Sequence, residues 1–158
     1  MRKLIVAASL ALSVLAAPTV ASAQSFELSL GTGLAFGDSV IDDTTRIPTN
    51  VMLTLGYAGL PIIEPQLGIL GDLGDVENSD FDLQLRPQLK ISPPVIPFYA
   101  RVILSVVNLI GDGDTEVYYG GGLGFELPLP LTPFVEGAIL PTSISGFTVF
   151  EVRAGLGF

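Results

Sequence analysis

Phe81-Asp82-Leu83-Gln84-Leu85-Arg86-Pro87-Gln88-Leu89-Lys90-Ile91 alternates with a period of two. Phe81, Leu83, Leu85, Leu89 and Ile91 fall on one side; Asp82, Gln84, Arg86, Gln88 and Lys90 fall on the other. Successive side chains of a strand point to opposite faces, so this stretch predicts a strand with one apolar and one charged face.

The pattern recurs along the chain. Phe26, Leu28, Leu30, Thr32, Leu34 and Phe36 alternate with Glu27, Ser29, Gly31, Gly33 and Ala35. Ile47, Thr49, Val51, Leu53, Leu55 and Tyr57 alternate with Arg46, Pro48, Asn50, Met52, Thr54 and Gly56. A third segment sets Ile63, Leu67 and Ile69 against Glu64, Gln66, Gly68 and Leu70. The fifth, Phe98 to Val107, is apolar on both sides except at Arg101 and Ser105, which mark Tyr99, Arg101, Ile103 and Ser105 as one face. A sixth sets Val117, Tyr119, Leu123, Phe125 and Leu127 against Glu116, Tyr118, Gly120, Gly122, Gly124 and Glu126. The seventh is short, Pro133 to Leu140, with Glu136 on its polar face. The eighth sets Thr148, Phe150, Val152, Ala154, Leu156 and Phe158 against Val149, Glu151, Arg153, Gly155 and Gly157.

The connections alternate in kind. Ala58-Gly59-Leu60-Pro61, Ser92-Pro93-Pro94-Val95 and Pro128-Leu129-Pro130-Leu131 are tight and proline-rich, with fixed φ and few N–H donors. Gly37 to Thr45, Asp72 to Asp80, Gly111 to Asp114 and Pro141 to Gly146 are polar, and the first three are acidic. Short turns at one end and polar loops at the other are what antiparallel hairpins in a membrane barrel require. Pro65, Pro87, Pro97 and Pro133 are expected near strand ends or bulges, where a ladder donor is not missed. Pro97-Phe98 and Pro133-Phe134 form a weak repeat, read as two similar hairpin starts.

The first residues read differently. Met1-Arg2-Lys3 is basic, Leu4 to Leu15 is apolar, and Ala21-Ser22-Ala23 has the small-residue form of a cleavage site. The apolar run is shorter than the ~20 residues of a helical span, so residues 1–23 are expected to be a cleaved secretory signal peptide. Cleavage would remove Arg2 and Lys3, taking the formal charge from −9 to −11. That sign argues against nucleic acid, whose binding rests on Lys and Arg. A mean hydropathy of +0.61 without a long apolar stretch beyond Ala23 is met by strands that face lipid outside and a polar lumen inside. Residues 24–158 are therefore expected to be all-β, an eight-stranded antiparallel up-and-down transmembrane β-barrel. Aromatic residues near segment ends suit interfacial girdles: Tyr57, Phe98, Phe125 and Phe158 at the turn end, Phe36, Phe81 and Phe150 at the loop end.

The segment Val152-Arg153-Ala154-Gly155-Leu156-Gly157-Phe158, with the architecture above, resembles the small eight-stranded outer-membrane proteins of the OmpA-like and OmpW-like barrel group. The resemblance covers residues 24–158. It implies a Gram-negative cell outer membrane, with Val152, Ala154, Leu156 and Phe158 as an assembly signal read by the barrel-assembly machinery. It also implies contact with outer-membrane lipid and lipopolysaccharide, and a monomer. The chain departs from OmpA-like proteins, which often carry a periplasmic peptidoglycan-binding domain after the barrel, and its loops are shorter than those usual in OmpW-like members.

Candidate chemistry is sparse. The chain has no histidine and no cysteine, which removes the commonest general base, a thiol nucleophile and thiolate metal sites. Barrel acyltransferases, deacylases and phospholipases depend on histidine, so no enzyme activity and no cofactor are expected. The inward faces would hold Glu27, Glu64, Glu126, Glu136 and Glu151, with Glu116 as a further acid, against Arg46, Arg86, Lys90, Arg101 and Arg153. Charges in so narrow a lumen must pair or be hydrated. Either they plug it or they line a narrow, porin-like path for ions and small solutes. The many inward glycines would leave local space or ease strand curvature. Asp112-Gly113-Asp114 and Asp72 to Asp80 offer oxygens to calcium, but without the spacing of a helix–loop–helix calcium loop. The function expected is a structural barrel or narrow pore. The alternatives are surface recognition through the external loops and a soluble exported barrel with an apolar cavity.

Overall fold

The computed structural model describes residues 24–36, 44–73, 83–107, 115–141 and 148–158. The expected signal peptide, most of the acidic loops and Phe81 lie outside them. Eight strands follow one another: β1 (Gln24–Phe36), β2 (Thr44–Tyr57), β3 (Ile63–Asp72), β4 (Leu83–Ile91), β5 (Phe98–Val107), β6 (Glu116–Glu126), β7 (Thr132–Pro141) and β8 (Thr148–Gly157). Each pairs antiparallel with its sequence neighbours, and β1 pairs with β8 to close the barrel. The expected fold class is the observed one. Closure leaves no sheet edge with unpaired donors and acceptors.

Following the ladder round the barrel gives its geometry. An outward row runs from Pro65 to Leu89, Val102, Gly121, Ile139, Phe150 and Leu34. In the other direction, one place beyond the Gly56–Gln66 pair, it reaches Tyr57 and Gln24. The row thus starts at Gln24 and returns to β1 at Leu34, a stagger of ten residues. With eight strands ~4.8 Å apart rising ~3.3 Å per residue, that stagger tilts the strands by about 40°. A barrel of this size has an interior that side chains fill.

Two backbone details differ from simple alternation. The β1–β2 register slips between Gly31, opposite Asn50, and Gly33, opposite Ile47, a bulge in which β2 carries the extra residue. Pro87, expected near a strand end or bulge, sits in the middle of β4. The β4–β5 pairing runs from Ile91 to Gln88 and resumes at Leu85, so Arg86 and Pro87 are skipped. A missing N–H at Pro87, on the side of Leu104, produces that two-residue gap. On its other side Pro87 keeps register with Leu67.

The turn end is tied by backbone hydrogen bonds. Phe26 and Phe158 exchange N–H to carbonyl bonds of 3.0 and 2.9 Å, which fasten the chain end to β1. Ser92 N–H donates to the Ile62 carbonyl, joining the β4–β5 turn to the β2–β3 turn. Ile96 N–H reaches the Pro93 carbonyl at 3.4 Å, making a tight turn with Pro94 second and Val95 third. Val95 has φ 79°, the left-handed region that a β-branched residue rarely enters.

Candidate functional site

The polar residues of the alternating strands converge on the lumen in two charged layers. The first lies toward the turns, where β1, β3, β4, β5, β6 and β7 each contribute from an inward position. Glu27 is its centre. Its carboxylate accepts from Arg101 Nη2 at 2.9 Å, Lys90 Nζ at 3.1 Å and Gln66 Nε2 at 3.2 Å. Lys90 Nζ also reaches Glu126 Oε2 at 2.6 Å. Arg101 Nη1 stands 3.1 Å from Glu136 Oε2, an ion pair whose angles fall outside hydrogen-bond geometry. Glu64, nearer the mouth, accepts from Gln66 Nε2 and from Ser25 Oγ. The Tyr99 ring is flanked by Lys90 Nζ at 4.6 Å and the Arg101 guanidinium at 5.1 Å. Tyr99 also meets Phe134 edge-on, with ring centres 6.5 Å apart.

The second layer lies nearer mid-barrel. Glu151 accepts from Arg86 Nη1 at 2.5 Å and Arg153 Nη2 at 2.8 Å. Arg153 also donates to Asn50 Oδ1 and Ser29 Oγ, and Arg86 to Ser105 Oγ and Gln84 Oε1. The layers carry opposite excesses. Four carboxylates face two cations in the first, and one carboxylate faces two in the second. On the loop side of these layers lies an apolar cluster: Ile103, Ala138 and Leu140 are buried together, with Tyr118 and Val149 packed against them.

These side chains are buried inside the barrel. Arg101 and Arg153 are 1% and 2% exposed, and they rank among the largest fully buried side chains. The inward glycines do not leave empty space. A Cβ at Gly31 would stand 2.8 Å from Asn50 Oδ1 and 2.9 Å from Arg153 Nη2, and one at Gly124 would run into the Tyr99 ring. At Gly31 and Gly124 the room left by the missing side chain is taken by Arg153 with Asn50 and by Tyr99, whereas Gly120, Gly122 and Gly155 face backbone carbonyls of neighbouring strands.

Of the ten sequence-selected lumen charges, Glu27, Glu64, Glu126 and Glu136 join Lys90 and Arg101 in the first layer, and Glu151 joins Arg86 and Arg153 in the second. Arg46 lies in β2 with its backbone paired to Leu34, but its side chain is outside the described residues. Glu116, the further acid, accepts from Tyr118 Oη at 2.7 Å. Selection by charge missed the neutral members Gln66, Asn50, Ser29 and Ser105. Their inward parity was the available signal, since each sits an even number of residues from a charged lumen residue or an inward glycine.

The exterior is the opposite surface. Leu30, Leu55, Leu67, Val102, Leu123, Val135, Ile139 and Val152 are all exposed, and every charged residue with a described side chain takes an inward position instead. Val152, Ala154 and Leu156 of β8 form an exposed row that Phe158, just beyond the strand, continues. At the turn end Tyr57, Phe98 and Phe158 are exposed, and the Phe98 ring meets that of Phe125 across the β5–β6 ladder, centres 5.2 Å apart and planes tilted by 60°. Phe150 marks the loop end; the side chains of Phe36 and Phe81 fall outside the described residues.

No protein-family model and no curated protein sequence matches the chain. Solved structures do. Neisserial surface protein A aligns with 88% of this chain and 98% of its own, at 11% identity and a TM-score of 0.55. The de novo designed TMB2.3 aligns with 89% of this chain and 97% of its own, at 12% identity and a TM-score of 0.52. What is shared at such identities is the path of the backbone: this chain has the fold of the small eight-stranded outer-membrane barrels.

Proposed function

We propose that this chain is an integral outer-membrane barrel whose lumen is closed by its own side chains, with a structural role in the membrane and no open pore. The observation that carries this reading is the inverted distribution of polarity. Among the described residues, charged side chains point inward and the outward face is apolar. In water that arrangement would bury ions and expose leucine; in a bilayer both faces are in their proper media. The filled charge layers favour closure over conduction, because an ion would have to displace a buried, hydrogen-bonded arginine to pass. On this reading residues 1–23 are a signal peptide removed on export, and Val152, Ala154, Leu156 and Phe158 form the row presented to the assembly machinery. Lipid and lipopolysaccharide are the partners of the outer face, the barrel acts as a monomer, and it carries no catalytic centre.

Cell fractionation with heat-modifiable gel mobility tests the membrane reading. The expected result is a folded, fast-migrating form in the outer-membrane fraction; recovery as a soluble periplasmic protein without detergent would overturn it. Planar-bilayer recording tests closure. Silence is expected, and reproducible single-channel steps would assign a pore instead.

A further inference from the structure

The turn end of the barrel is almost without polar side chains. Residues 58–62, 92–97 and 127–131 carry no charge, and Ser92 is their one polar side chain. Turns in water are normally made of Gly, Asn, Asp, Ser and Pro. These instead expose Leu60, Ile62, Val95, Ile96, Leu129 and Leu131, each about half exposed or more. Phe158 continues the series at the β8–β1 seam. Apolar residues therefore stand at each of the three hairpin turns and at the barrel seam, where Gln24 is the exposed polar neighbour, and they adjoin the apolar outer face of the strands.

The backbone of the rim is suited to little water as well. Pro61, Pro93, Pro94, Pro97, Pro128 and Pro130 remove donors outright. The N–H groups of Ser92, Ile96 and Leu129 donate to backbone carbonyls of the turns, and that of Leu127 to the Pro133 carbonyl at the start of β7. Each unsatisfied backbone group in a low-dielectric medium is costly, so a donor-poor, self-bonded turn is the kind that tolerates such a medium.

We propose that this rim is a lipid-binding surface, with the three turns seated at the acyl-chain and headgroup boundary of the leaflet on their side. It rests on the membrane reading above and adds a depth to it. A ring shape fits a lipid annulus, which touches all sides of a barrel equally, whereas a docked protein would select one side. Full burial among acyl chains is excluded by the irregular backbone, which places the turns at the boundary.

The absence of cysteine from the chain makes site-specific labelling direct. Leu60→Cys, Val95→Cys and Leu129→Cys would each carry an environment-sensitive fluorophore, with Val102→Cys on the outer face of β5 as reference. The variants are refolded into phosphatidylcholine vesicles and checked by heat-modifiable mobility. Quenching is compared between aqueous iodide and lipids bearing a nitroxide at the headgroup, shallow in the acyl chain, or deep in it. The expected result is blue-shifted emission at the turns, quenched most by the shallow nitroxide, with Val102 quenched most by the deep one. Turn labels quenched by iodide as in urea-unfolded protein, with Val102 still quenched by lipid, would overturn the proposal and leave the membrane reading standing. Loss of lipid quenching at Val102 would remove the membrane reading itself. Energy transfer between turn labels on separate molecules, without lipid quenching, would assign the rim to a second copy of the chain and also overturn the proposal.

Discussion

Val95 occupies the third position of the Pro93–Ile96 turn at φ 79°, fully exposed. A turn with proline second and positive φ third is of the type that selects glycine at that place, because a Cβ crowds the backbone there. A non-glycine residue held so carries roughly 1–3 kcal/mol of strain, part of which glycine returns as chain entropy on unfolding. Val95→Gly is thus expected to stabilise the barrel by about 1 kcal/mol, read as a higher urea midpoint in equilibrium unfolding with an unchanged slope. An equal or lower midpoint would mean the turn has relaxed another way. Two glycines make a sharper contrast. A Cβ on Gly120 would strike the Ile139 carbonyl, a backbone atom fixed by the β6–β7 ladder, while one on Gly137 meets nothing within 4 Å. Gly120→Ala should cost about 1–3 kcal/mol, and Gly137→Ala should stay within about 0.5 kcal/mol of the parent by the same measurement.

At the scale of the element, β4 was the most legible strand and still held a surprise. Its alternation settled which side faced inward, and Arg86, Gln88 and Lys90 are buried there. Its proline was not legible. Alternation reports the direction of side chains and carries no information on which neighbour an N–H faces, so the gap opposite Leu104 left no trace in the pattern. Restoring the donor should close it: Pro87→Leu is expected to add one ladder hydrogen bond and raise stability by about 1 kcal/mol, with slower amide exchange at Leu104, the residue facing position 87 on β5. Unchanged exchange at that amide would place the gap elsewhere than in the missing donor. The slip between Gly31 and Gly33 was hidden for a related reason. One extra residue changes the register only on the far side of a bulge, and the alternation on the near side, from Asn50 to Tyr57, carries no mark of it. The turn-end geometry was readable because proline fixes φ and deletes donors by its covalent structure alone.

For the whole molecule, the sequence separated inside from outside but not one charge layer from another. Membership in a layer depends on the ten-residue stagger, which brings Glu27 of β1 beside Arg101 of β5 although neither strand pairs with the other. Such contacts cross the lumen, and no local pattern encodes them. The first layer is built so that Arg101 answers two carboxylates, Glu27 and Glu136, while Lys90 bridges Glu27 and Glu126. Removing the guanidinium alone leaves Glu136 without its cation and Glu27 with Lys90 alone, and truncations that strand a buried charge cost about 3–5 kcal/mol. Arg101→Met should therefore lower stability by that amount. Replacing the triad together, Glu27→Leu with Arg101→Met and Glu136→Leu, removes the desolvated charges along with their partner, and Lys90 retains Glu126. The triple variant is expected to be more stable than Arg101→Met, which equilibrium urea unfolding of both in the same vesicles would show. A triple variant as weak as the single one would mean that the layer contributes through its packed shape around Tyr99 and Phe134, and that its charges matter less than the volume they fill.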